Sequence, residues 1–259
     1  MRRRIVLAAP ILVLATQAHA QTAPITAQQM VIAADAVRNP NQSFRVTSTL
    51  LDHVAGRPRD KVVLVVFARE DAKTRRFDNL VRYVEPPRDA GKLVLLNGSA
   101  LWFYDPASKA AVRISPQQRL VGQASNGDVL TVNMQRDYTA KLAGAETLQD
   151  ADRASRLTWH LDLAAATPDA IYSRIEMWLE QGSYRIVKGK FYSDSGRLLK
   201  IAYYRNWQEQ LGTTRPTQTI LIDAIDSSLV TTVTTSDMRA QEIPDSWFQR
   251  DFLPRLKID

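Results

Sequence analysis

Cysteine is absent from all 259 residues. That excludes disulfide staples, thiolate metal sites and a lipid-bearing amino-terminal cysteine. Histidine is nearly as scarce, with only His19, His53 and His160. No H-E-x-x-H and no paired-histidine spacing is present, so the sequence offers no recognisable transition-metal site. There is no G-x-S-x-G, no P-loop and no G-x-G-x-x-G. Ser99 lies in a hairpin turn and reads as structural. Asp150/Asp152 and Asp223/Asp226 sit beside turns or strand ends, where carboxylates solubilise, and Asp169 follows Pro168 in another turn. No catalytic set, cofactor or metal is expected. Lysine and arginine form no block beyond the first four residues, which argues against a nucleic-acid partner.

Long apolar runs are lacking too. The longest stretch lies in the first twenty residues and is too short to span a bilayer comfortably. Arg2-Arg3-Arg4, an apolar run over 5–16 and the A-x-A site Ala18-His19-Ala20 predict a signal peptide over 1–20. It is expected to be cleaved after Ala20, leaving 21–259 as one domain in the bacterial periplasm. Loss of three arginines leaves thirty-one basic residues against 27 acidic ones, a net charge of about +4.

What is present in quantity is apolar and aromatic strand surface. Residues 92–114 read as three strands over 92–96, 101–104 and 111–114, separated by Asn97-Gly98-Ser99 and Asp105-Pro106-Ala107-Ser108. Both faces of the first two are apolar, which an antiparallel sheet with one wet face does not need. Upstream, Thr26 and Gln29 form a capping box for a helix over 24–37, with Met30, Ala33, Ala34 and Val37 as its apolar stripe. Strands follow over 43–54, 61–69 and 74–84. Residues 115–131 break the pattern with short helical turns, and a loop of this length is expected to be functional or mobile. Strands resume over 138–148, 154–164, 172–180, 184–193, 198–210, 218–226 and 228–238. A helix starting near Ile243-Pro244 and limited by Pro254 closes the chain.

The expected fold is mainly β, an antiparallel meander of about ten or eleven strands curled into a half-open barrel and covered by short helices. The residues alone leave two interiors open: an apolar cavity beneath a helical lid, or an ordinary sandwich core. The segment Asn97-Gly98-Ser99-Ala100-Leu101-Trp102-Phe103-Tyr104-Asp105-Pro106 resembles the D-G-K-x-L-W-x-Y-x-P hairpin of the LolA-like outer-membrane lipoprotein-sorting proteins. The resemblance extends to Tyr83–Pro87, to the I-P-x-x-x-F pattern of Ile243, Pro244 and Phe248, and to the layout as a whole. It is nearest to the larger LolA-like branch.

This resemblance implies a half-barrel whose apolar hollow takes the acyl chains of a lipoprotein or a lipid. It implies a carrier or chaperone, not an enzyme, with an inner-membrane donor and an outer-membrane acceptor, and no stable membrane insertion. Relatives of the same fold also include a periplasmic regulator, so a sensor that reports lipid or lipoprotein status to a membrane partner stands as the alternative. The hollow is expected to be lined by Phe44, Val46, Leu50, Val63, Val65, Phe67, Leu80, Val94, Leu96, Trp102, Tyr104 and Trp159. Leu120, Val121, Val129 and Leu130 are expected to form its lid. The resemblance further implies an arginine that holds the lid, for which Arg69, Arg75, Arg76 and Arg82 are candidates.

Overall fold

The computed structural model describes residues 25–256, and the expected signal peptide lies outside the described residues. Helix α1 (Ala27–Arg38) opens with the expected capping box: the Thr26 hydroxyl accepts the Gln29 N–H, and the Gln29 amide oxygen accepts the Thr26 N–H. Its buried stripe is Met30, Val31, Ala34 and Asp35, rotated from the one the sequence suggests. The cause is Asp35, whose carboxylate accepts the Gln135 N–H at 2.7 Å and is drawn inward.

Thirteen strands, not ten or eleven, form one antiparallel sheet. In chain order they are β1 (Phe44–Val54), β2 (Arg57–Glu70), β3 (Phe77–Glu85), β4 (Leu93–Asn97), β5 (Ala100–Asp105) and β6 (Ala110–Ile114). After the short hairpin of β7 (Arg119–Val121) and β8 (Ala124–Ser125) and helix α2 (Met134–Asp137) come β9 (Tyr138–Gln149) and β10 (Ser155–Ala165). The chain then adds β11 (Arg174–Glu180), β12 (Ile186–Tyr192), β13 (Leu198–Gln210), β14 (Thr213–Asp223) and β15 (Leu229–Ala240).

The spatial order is β6-β5-β4-β3-β2-β1-β15-β14-β13-β12-β11-β10-β9. Each half is a meander, and the first and last strands pair at the centre, Leu50 opposite Val233. The two free edges, β6 and β9, therefore belong to the middle of the chain. The sheet stays open, and residues 115–137 connect its edges.

Alternation divides the side chains between two cores. Phe44, Val46, Leu50, Leu64, Val66, Val81, Val94 and Leu101 join Leu161, Ile175, Phe191, Leu221 and Val233 in one cluster with α1 and residues 120–134. That these distant strands share a cluster shows the sheet curling around its inner face. On the outer face Phe67, Leu80, Leu93, Leu95 and Tyr104 form a second cluster under the carboxy-terminal segment, through Ile243, Phe248 and Leu253. The expected terminal helix is instead two 3-10 turns, Asp245–Phe248 and Arg250–Arg255. Arg69 fastens it: its guanidinium lies 4.7 Å from the Phe248 ring and pairs with Asp245. This second core explains why β2, β4 and β5 are apolar on both faces.

Candidate functional site

Residues 115–133 run along the inside of the curled sheet, and several of their polar groups are hydrogen-bonded to it. At the tip of the β7–β8 hairpin, the Gln123 N–H donates to Thr231 Oγ1 at 2.7 Å, and Thr231 Oγ1 donates to Asp52 at 3.0 Å. Asp52 is 1% exposed and pairs with Arg59. Further along, Asp128 accepts from the Ser125 N–H at 2.7 Å and the Tyr172 hydroxyl at 2.7 Å, and pairs with Lys200. Lys200 also donates to Gln123 O and Ser125 Oγ, each at 3.2 Å. Asn79, fully buried, clamps Thr131 by donating to its carbonyl and accepting its N–H.

The segment is polar because it is an inserted plug whose partners are buried side chains. Of the expected lid residues, Leu130 is buried, and Leu120, Val121 and Val129 pack at the margin of the inner core. The cation that grips the plug is Lys200 of β13. Arg69, Arg75 and Arg76 pair elsewhere, with Asp78 and Asp245, with Glu70, and with Asp169. Arg82 shares the outward face of Leu80.

Between plug and sheet lies a cavity of about 210 Å³, walled by Phe44 and Val46 of β1, Tyr172, Ile175 and Phe191, Tyr204, Leu221 and Val233, and closed by Val129 and Leu130. Burial pushes the Tyr204 hydroxyl up to about 12, and does the same for Tyr138 on the cavity wall, so both stay neutral. A second hollow of about 390 Å³ opens towards the gap between the sheet edges, where Arg76 and Arg136 meet at Asp169. The two hollows share Leu130, Thr131, Val132 and Ile171 as a partition. The second hollow falls within the roughly 300–1,000 Å³ usual for ligand pockets, and the inner cavity, at about 210 Å³, is smaller.

Of the residues expected in the hollow, Phe44 and Val46 line the cavity, Leu96 lines the second hollow, and Leu50, Val94 and Trp159 lie in the inner core. The others do not join them. Val65, Phe67, Leu80, Trp102 and Tyr104 belong to the outer cluster, and Val63 shares the face of Val65. The error is one of parity: where a strand is apolar on both faces, hydrophobicity gives no facing. Missed altogether was the wall from β11 to β15, including Arg215, which is only 3% exposed. Ile175, Met177 and Leu179 alternate with Arg174, Glu176, Trp178 and Glu180, a usable if imperfect signal, whereas Arg215 sits among Thr213, Thr214 and Thr217 and offers none.

Among solved structures, a LolA superfamily protein from Nitrosomonas europaea is 31% identical, with a TM-score of 0.78 over 88% of this chain and 100% of its own. A DUF1329 family protein from Desulfovibrio piger (18% identity, TM-score 0.73) covers 88% of this chain and 97% of its own. An outer-membrane lipoprotein-sorting protein domain from Vibrio parahaemolyticus (18% identity, TM-score 0.70) covers 88% and 98%. These last two share the fold. A family model described only as "-like: Uncharacterized protein" matches residues 76–255. No curated protein matches.

Proposed function

Because the chain belongs to the LolA superfamily, we propose that it is a periplasmic carrier that shelters acyl chains of a lipoprotein or a lipid between its curled sheet and its plug. The observation that carries this reading is the cavity walled by Phe44, Val46, Leu221 and Val233 behind a plug held by polar contacts. Burying an acyl chain contributes about 0.8 kcal/mol per CH₂, so a short length of chain gives useful affinity. Withdrawal of the Leu130–Val132 partition would join the two hollows and lengthen the site, and its return would expel the chain. The contribution is binding and release, with no bond made or broken. Export and onward transfer from an inner-membrane donor to an outer-membrane acceptor are part of the proposal. Among the described residues no helix is long and apolar enough to cross a membrane.

Mass spectrometry of organic extracts of protein purified without detergent from a periplasm is expected to find a stoichiometric acyl-bearing molecule. Thr219 lines the cavity, and Thr219→Trp is expected to weaken fatty-acid uptake about tenfold or more by occupying that space, with the circular dichroism spectrum unchanged. A protein that is empty and takes up no fatty acid would favour the sensor reading. Normal uptake by a folded Thr219→Trp would place the ligand elsewhere.

A further inference from the structure

Three charged side chains line the cavity: Arg38, Asp128 and Arg215. Arg38 pairs with Asp35 at 3.0 Å, and Asp128 pairs with Lys200. Arg215 is different. It projects from the inward face of β14, is 3% exposed, and its hydrogen bonds among the described residues go to carbonyls, with no carboxylate in contact and Glu209 acting only at a distance. One terminal nitrogen donates to the carbonyls of Gln210 and Thr213, while its Nε is buried with no hydrogen-bond partner. Burial holds the guanidinium below the ordinary arginine value, against a weaker opposing pull from Glu209. A buried cation without a counter-ion is costly, and a guanidinium whose donors are incompletely used is shaped to accept an oxyanion.

We propose that Arg215 is the anion seat of this cavity, so that the ligand is an amphiphile whose carboxylate or phosphate meets the guanidinium while its acyl chain covers Leu221, Val233 and Phe44. The inference rests on the acyl-binding reading and narrows it. A chain ending only in ester or amide linkages brings no charge to Arg215, whereas a fatty acid or an acidic phospholipid does. The seat selects among apolar ligands, since a site built for a charged hydrogen-bonding group rejects analogues that lack it.

The test is calorimetric titration of the full chain with palmitate, methyl palmitate and 1-palmitoyl lysophosphatidate. The wild-type protein is expected to bind at least one of the two anions about tenfold or more tightly than the ester. The order of the two anions tells a carboxylate ligand from a phosphate one. Arg215→Met is expected to bind all three with the affinity of the ester, and Arg215→Lys to keep part of the preference. Equal wild-type binding of ester and anions overturns the anion seat and leaves the acyl cavity standing. So does a preference that survives intact in Arg215→Met. Failure of all three ligands to bind overturns the acyl-binding reading and the seat with it. Should Arg215→Met not fold, the wild-type comparison and Arg215→Lys still decide.

Discussion

Gly122 shows how closely the plug is fitted. Its φ is +52°, and a Cβ at this position would collide with Asp52 Oδ1 and Thr231 Oγ1. Those are the groups on which the hairpin tip docks through the Gln123 N–H. Gly122→Ala therefore meets both backbone strain and a steric clash, and is expected to lower stability by about 2 kcal/mol or more. Urea denaturation measures the loss, and hydrogen exchange should show amides 119–126 losing protection first. Unchanged stability would mean the tip does not sit on Asp52. Neither residue announces this role in the sequence. Gly122 lies in a polar stretch, and Asp52 is a lone carboxylate near a strand end.

Among the elements, α1 carries its own titratable marker. Asp35 is 3% exposed and faces the start of α2. Burial raises its carboxyl above the usual 3.8, against the pull of Arg38 and the Gln135 and Met134 N–H groups. Between 3.8 and the raised value the folded state holds the proton more tightly than the unfolded one, so the stability this residue supplies falls as pH rises through that window. Asp35→Asn removes the titration. Its melting temperature relative to wild type is expected to climb as pH rises upward from about 3.8, and a flat difference would show that Asp35 is not held in a desolvated site.

The elements themselves were largely legible. The capping box, the hairpin turns and the alternating strands were read from local chemistry that the fold obeys. The plug was harder, because its polar residues answer to partners far along the chain, such as Gln123 to Thr231 and Ser125 to Tyr172.

The whole molecule is a sheet whose inner face is dry throughout its curl and whose outer face is dry only over β2–β5, and the two serve different ends. The inner face has the cavity and the outer face has the strap of residues 243–256. Phe248, 2% exposed, is the strap's principal anchor, and Phe248→Ala is expected to cost about 3–5 kcal/mol. Fatty-acid uptake by the folded fraction should not change, since Phe248 and Trp102 contact the face opposite the cavity. A loss of uptake at matched folding would sink this division of labour. The two faces could not be told apart from sequence, because Leu95 and Leu96, or Trp102 and Phe103, differ in side but not in hydrophobicity.

The pairing of β1 with β15 also has a temporal consequence. Every other neighbouring pair in the large sheet joins strands adjacent in the chain, but this central ladder brings Phe44 opposite Ala240. Closing so long a loop is entropically expensive and slow, and it requires the final strand to be present. Without that strand the seam edges of β1 and β14 lack their partner and the inner wall is incomplete. A chain made in this order therefore completes its cavity wall only once Val233 of the last strand has been made.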